Sequence, residues 1–229
     1  MFNFFVKNAT SLKAPGYIAI IVVIAALILA IGFISKGREK QRMQTKQLVF
    51  SSLAIAMAMV TSMLKLFHLP MGGSVTLFSM FFICLIGYWY GLRIGLMTGL
   101  AYGLLQLMID PYIISFQQMV VDYLLAFGAL GLSGIFHNSR HGMIKGYVAG
   151  VLGRLLFAFL SGMIFFGLYA KDYGMSAPIY SLAYNGSYIG AEAALTLVVI
   201  CMPPVTKALA EIKKIAGCSP APAGKVQNS

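Results

Sequence analysis

The stretch QQMVVDYLLAFGALGLSGIF, residues 117–136, decides the fold. It carries a single charged residue, Asp122, in twenty positions. As a helix rising about 1.5 Å per residue it is about 30 Å long, the thickness of a bilayer's hydrocarbon core. It lacks the short alternating pattern of a transmembrane barrel strand. Comparable runs recur on both sides of it. Seven apolar segments can be drawn, at 16–35, 47–67, 75–90, 92–109, 114–136, 145–170 and 178–206. Across all 229 residues, 59% are hydrophobic and 10% charged, with a mean hydropathy of +0.84. A soluble domain carries about 25% charged residues, so the composition excludes one. The expectation is an all-α polytopic membrane protein.

The charges set the orientation. Lys36, Arg38, Lys40, Arg42, Lys46, Arg93, Arg140, Lys145, Lys207, Lys213, Lys214 and Lys225 fall in alternate connections and the C-terminal segment. The opposite connections hold Lys7, Lys13, Lys65 and Lys171. Twelve against four puts the first set in the cytoplasm, the N-terminus outside and the C-terminus inside, in a cell membrane. The net charge of +11 therefore reads as a topology signal, and no nucleic-acid partner is expected. Three units follow: an extra N-terminal transmembrane helix with a basic linker at 1–46, a six-helix membrane domain at 47–214, and a disordered tail at 215–229 that is rich in Pro and Ala. Gly95, Gly99, Gly103, Gly128, Gly131, Gly134, Gly186 and Gly190 have the spacing that lets helices pack closely in lipid.

Little in the chain suggests an enzyme. There is no phosphate-binding GxxxxGK[ST] loop and no HExxH, and no nucleophile–base pair stands out. Cys84, Cys201 and Cys218 lack disulfide or metal spacing, and His137 and His141 sit in a basic loop. No cofactor or metal is expected. The informative residues are ionisable groups inside the spans, because burying a charge in a membrane is expensive. They are Asp122, Arg154 and Glu192. Arg154 and Glu192 come to similar depths on neighbouring antiparallel helices, so an ion pair between them is expected. Asp122 lies toward the outer side. Tyr180, Tyr184 and Tyr188 share one helix face at i,i+4 spacing near Asn185. Phe165, Phe166 and Tyr169 end the preceding helix, and Tyr112, Gln117 and Gln118 lead into the Asp122 helix. A carboxylate among aromatic faces suits an organic cation. An interfacial aromatic belt with a hydrogen-bonded Asp accounts for the same residues.

The six-helix unit resembles the thiamine-specific substrate-binding (S) components of energy-coupling factor (ECF) transporters, the ThiT/YuaJ family. The similarity lies in LPMGGSVTLFSM at 69–80, GYWYGLRIGLMTGLAYGLLQ at 87–106, QQMVVDYLLAFGALGLSGIF at 117–136, FAFLSGMIFF at 157–166 and YSLAYNG at 180–186. The last is the most specific motif. The resemblance implies a thiamine site near the outer face, under the first long loop. It carries binding roles onto Asp122, Tyr123, Tyr112, Tyr180 and Asn185, with Phe166 and Tyr184 completing the candidate set. The sequence departs from the family pattern in four places. Asp122 stands where Glu is usual, Ala158 where a histidine binds, and Phe166 where a tryptophan is found. The tryptophan of the first loop has no counterpart in 69–80.

The resemblance also implies partners: a transmembrane T component and two ATPase subunits on which a loaded S component docks. Family docking uses an AxxxA stripe on the first helix of the unit, which maps onto Ala54 and Ala58. Two other readings stand beside this one. One is an S component for another vitamin or a pyrimidine- or pyridine-type precursor. The other is a proton-coupled carrier acting alone, with Asp122, Arg154 and Glu192 as the relay.

Overall fold

The structure, a computed structural model, describes residues 43–218 together with two short strands, β1 (Val6–Asn8) and β2 (Ser11–Leu12), which pair antiparallel. The helix expected at 16–35 and the segment 219–229 of the expected tail lie outside the described residues.

Helix α1 (Thr45–Met63) leads into an antiparallel hairpin of β3 (Lys65–His68) and β4 (Ser74–Thr76). Helices α2 (Ser79–Tyr90), α3 (Leu92–Ile109), α4 (Phe116–Phe136), α5 (Gly142–Phe165), α6 (Ala177–Cys201) and α7 (Pro203–Ile215) follow. Helices α1, α3, α4 and α5 are each long and apolar enough to cross a membrane. Helices α6 and α7 qualify together as a fifth, broken span bent by 82°. Helix α2 is apolar but only 12 residues long, about 18 Å, which is short of a full crossing. The chain is an all-helical membrane protein, as its composition requires.

Three segment limits move, each for a local reason. Residues 65–76, drawn as span ends and loop, form the hairpin. The run expected at 178–206 stops at Cys201, because Met202 precedes Pro203–Pro204 and is held extended at φ −67°, ψ 131°. A proline in the first turn suits the start of the next helix. Helix α7 therefore begins anew at Pro203, within the unit expected at 47–214, and its last residue, Ile215, is the first of the expected tail. It is amphipathic, with Val205, Leu209 and Ile212 on one side and Lys207, Glu211 and Lys214 on the other. It is tied beneath α2 by the Lys213 Nζ, 4.1 Å from the Tyr88 ring centre, and by the Tyr90 hydroxyl donating to the Ala216 carbonyl at 3.1 Å.

Helices α3 and α4 meet backbone to backbone. A methyl group added at Gly131 would strike the backbone of Gly95 and Leu96, and one at Gly103 would strike the Tyr123 carbonyl. Close packing is thus the role of the glycines at 95, 99, 103, 131 and 134. Gly186 and Gly190 differ, since a Cβ on either meets nothing within 4 Å. Ala54 and Ala58 need a correction. They are 7% and 0% exposed and belong to the internal core, packed with Met80, Ile83 and Ala193 among others. The outward face of α1 is instead formed by Val49, Leu53, Ala56, Met57 and Val60.

Candidate functional site: a cavity between a polar hairpin and an aromatic helix face

The site begins with an irregular helix. Helix α4 runs as a π-helix over Val120–Leu125 before it tightens into 3-10 turns over Ala129–Phe136. A π turn adds a residue to the helical circuit and re-aims the side chains it carries. Asp122 and Tyr123 lie in this turn. The loop before α4 is bolted down by Gln118, which is 1% exposed. Its Nε2 donates to the Tyr112 carbonyl at 3.0 Å and to Asp122 Oδ2 at 2.6 Å, and its Oε1 accepts from the Ile114 N–H at 3.1 Å. The carboxylate is thus held by one oxygen.

All seven candidate binding residues, Tyr112, Asp122, Tyr123, Phe166, Tyr180, Tyr184 and Asn185, line one cavity at the hairpin end of the bundle. Aromatic rings make much of its wall. Tyr180 stacks on Tyr173 at 5.3 Å and on Tyr184 at 6.0 Å, and Tyr112 stacks on Phe166 at 6.0 Å. Burial raises the Tyr112 phenol above its ordinary pKa, with Tyr169 adding to the shift, so it stays a neutral hydroxyl. The hairpin closes over α6 through Tyr184. Its hydroxyl donates to the Pro70 carbonyl and accepts from the Gly73 N–H at 2.9 Å. At the rim, Lys65 Nζ meets Asp110 Oδ2 at 2.5 Å.

Geometry divides the seven. The Tyr123 hydroxyl accepts from the Tyr112 N–H at 2.6 Å and donates to the Asp110 carbonyl at 3.0 Å, which commits it to the loop. Asn185 is likewise engaged. Its Nδ2 donates to the Ala158 and Ser181 carbonyls at 3.1 and 3.0 Å, and its Oδ1 accepts from the Tyr188 hydroxyl at 3.0 Å. It braces α5 against α6, where Gly162 leaves the space that a Cβ would take from Ser181 and Asn185. Asp122 accepts from Gln118 on Oδ2, and among the described residues no donor bonds its Oδ1.

The expected pair of Arg154 with Glu192 is not formed. The ion pairs among the described residues are Lys65–Asp110 and Lys214–Glu211. Glu192, 2% exposed, accepts from Thr76 Oγ1 at 2.6 Å, Ser79 Oγ at 3.0 Å and the Met80 N–H at 3.1 Å. Its carboxylate meets the positive N-terminal end of α2 rather than an arginine. The Arg154 guanidinium lies 4.4 Å from the Phe127 ring centre, and its side chain faces the same cavity as Asp122. Gln118 is the contributor that residue reading left outside the candidate set. Its signal was a buried amide four residues before an acid on one helix face.

An all-helical membrane protein with an aromatic-walled cavity at one end, holding a carboxylate, is of the class that takes up small molecules within the bilayer. Residues 48–211 match the model of the thiamine transporter protein family (Thia_YuaJ), and the chain belongs to that family. The chain is 32% identical over 180 residues to the thiamine transporter ThiT of Bacillus subtilis (strain 168), covering 69% of this chain and 92% of that one. Its fold is similar to that of ThiT from Listeria monocytogenes, with a TM-score of 0.61 at 24% identity over 74% of this chain and 96% of that one.

Proposed function

We propose that this chain is the substrate-binding component of a vitamin importer, and that it holds thiamine in the hairpin-end cavity. The observation that carries the reading is Asp122, a carboxylate inside a span, steadied on one oxygen by Gln118 and facing an aromatic-walled cavity. Thiamine carries a permanent positive charge on its thiazolium ring, so a fixed carboxylate and aromatic faces are its natural complement. The name of the Bacillus relative agrees.

Delivery to the cytoplasm then requires energy from elsewhere, since the chain has no nucleotide-binding motif. The resemblance points to a T component and two ATPases on which the loaded subunit docks, and the Lys and Arg bias between the connections puts the N-terminus outside and the C-terminus in the cytoplasm. The carrier alternative needs a relay through Asp122, Arg154 and Glu192. Among the described residues no hydrogen-bonded chain joins them, because Glu192 is occupied by Thr76, Ser79 and Met80. The test is calorimetry of the purified protein with thiamine, followed by co-purification with co-expressed T and ATPase subunits. Absence of thiamine binding would remove the substrate assignment. Thiamine uptake by vesicles holding this chain alone would remove the partner assignment.

A further inference from the structure

Helix α7 carries a surface that neither the cavity nor the packing of the bundle uses. It is turned 82° from α6. A helix at nearly a right angle to one that crosses a membrane lies close to the membrane plane. Its 13 residues make a rod of about 20 Å, and none of its side chains is buried. Leu209 rests on the core of the bundle. Ile212 and Ile215 stay 38% and 66% exposed. At about 100° per residue, those two stand between the Leu209 edge and the charged edge of Lys207, Glu211 and Lys214. An apolar flank beside a charged edge is the pattern of a helix lying in the headgroup layer, with its apolar side at the acyl boundary.

Charge decides which headgroups. Helix α7 sits at the end of the bundle opposite the hairpin, since Lys213 covers Tyr88 and the Tyr90 hydroxyl reaches Ala216. Lys46 joins it there, because a Cβ on Gly217 would lie 4.0 Å from the Lys46 Nζ. Arg93 opens α3 directly after α2, and Arg140 precedes Gly142, which abuts the Tyr88 ring. Among the described residues the acid at this end is Glu211, paired with Lys214. Both members of that pair are more than 60% exposed, so it holds Lys214 weakly. The hairpin end is balanced by contrast, with Lys65 and Lys171 beside Asp110 and Asp172. An excess of cations at the edge of a bilayer attracts anionic lipid. We propose that α7 is an interfacial helix that binds anionic phospholipid headgroups through Lys207 and Lys214, with Ile212 and Ile215 set at the acyl boundary. An acidic protein surface would match the lysines, but the flank of Ile212 and Ile215 in the membrane plane suits lipid. The proposal rests neither on thiamine nor on which side of the membrane this end faces.

Amide hydrogen exchange on the full chain tests this, in nanodiscs of phosphatidylcholine alone and of phosphatidylcholine mixed with phosphatidylglycerol. In wild type the α7 amides should exchange about ten- to thirtyfold more slowly in the anionic discs, the effect of two lysines at a charged surface. The amides of α3 should not respond. Lys207→Gln combined with Lys214→Gln should bring the α7 ratio within about threefold of unity, and high salt should do the same to wild type. Ile215→Ser should speed α7 exchange in both kinds of disc. The wild-type comparison needs no variant, so a variant that folds badly, seen as fast exchange in α3, leaves the test intact. Equal wild-type exchange in the two lipids overturns the proposal. So does anionic slowing that survives the double substitution, or an Ile215→Ser variant that exchanges like wild type. Slowing that lipid does not produce, and that appears only when the protein is co-purified with T and ATPase subunits, would make α7 a protein dock and overturn it as well.

Discussion

Glu192, in the middle of α6, accepts the backbone N–H of Met80 at the start of α2, 3.1 Å away across 112 positions of chain. With Thr76 and Ser79 on the same carboxylate, one side chain fixes the hairpin, the short helix and α6 together. Glu192→Ala leaves those donors buried without a partner. The cost is about 1.5–3 kcal/mol for a charged hydrogen bond, which lowers the melting temperature by about 3–12 °C for a chain of this size. Arg154→Met should leave it nearly unchanged. An equal fall in both variants, measured by thermal unfolding in detergent, would show instead that the two residues stabilise each other.

Glycine spacing separates into two kinds. Gly131→Ala must push α3 and α4 apart, since the new methyl meets the backbone of Gly95 and Leu96. Overpacking of this kind costs about 1–3 kcal/mol. Gly190→Ala meets nothing and replaces a flexible residue by a better helix former, a gain of about 0.8–1 kcal/mol. Yield of monodisperse protein and melting temperature should fall for the first and hold or rise for the second. The reverse order would mean that the α3–α4 contact is looser than described.

The hairpin is clasped to α6 by the Tyr184 hydroxyl, through Pro70 and Gly73. Tyr184→Phe keeps the ring and its stacking but releases both bonds. Loss of a well-made hydrogen bond is worth about 0.5–1.5 kcal/mol, so ligand release should accelerate about tenfold with association little changed. The Lys65–Asp110 pair at the rim is more exposed, at 31% and 56%. Such pairs contribute about 0–1 kcal/mol and are screened by salt. Lys65→Ala should therefore change release less than Tyr184→Phe, and its own effect should shrink further in high salt. Filter-binding release of labelled thiamine distinguishes them.

The residues that line the cavity were legible because polar and aromatic groups stand out against apolar spans, and because i,i+4 spacing alone puts Tyr180, Tyr184 and Tyr188 on one face. Which group each would touch was not. Depth along a helix is readable from residue counts, but rotation about its axis is not, so Arg154 and Glu192 at similar depths turned to different partners. The same limit acts on α1. In lipid both sides of a helix are apolar, and nothing in SLAIAMAMV marks Ala54 and Ala58 as inward and Ala56 as outward. The π turn at Val120–Leu125 shifts the phase of α4 beyond what a 3.6-residue period describes. Helix α7 was hidden because its first turn was drawn into the span at 178–206 and its lysines read only as cytoplasmic-side charges, although the Pro203–Pro204 pair marked the break.

Asp122 is the sharpest prediction of the site. Of the two carboxylates that line the cavity, Asp110 is paired with Lys65 at the exposed rim, while Asp122 lies inside and is held by Gln118 on one oxygen. A thiazolium charge cannot be lost by deprotonation, so the ligand has no way to adapt to a neutral partner. Truncating one member of a desolvated charge pair costs about 2–5 kcal/mol, or about 30- to several-thousand-fold in dissociation constant. Asp122→Asn retains the shape and can still accept from Gln118, which places its effect at the lower end. Asp122→Glu restores the charge one methylene further out and should recover most of the affinity. Tyr123→Phe and Asn185→Ala act through the loop and the α5–α6 brace, so each should cost about 1–2 kcal/mol and also lower the melting temperature. Calorimetry with thiamine on the four variants, paired with thermal unfolding, checks the set. Weakening of less than threefold in Asp122→Asn, with the melting temperature reduced, would make Asp122 a structural partner of Gln118 and move the charge contact elsewhere in the cavity.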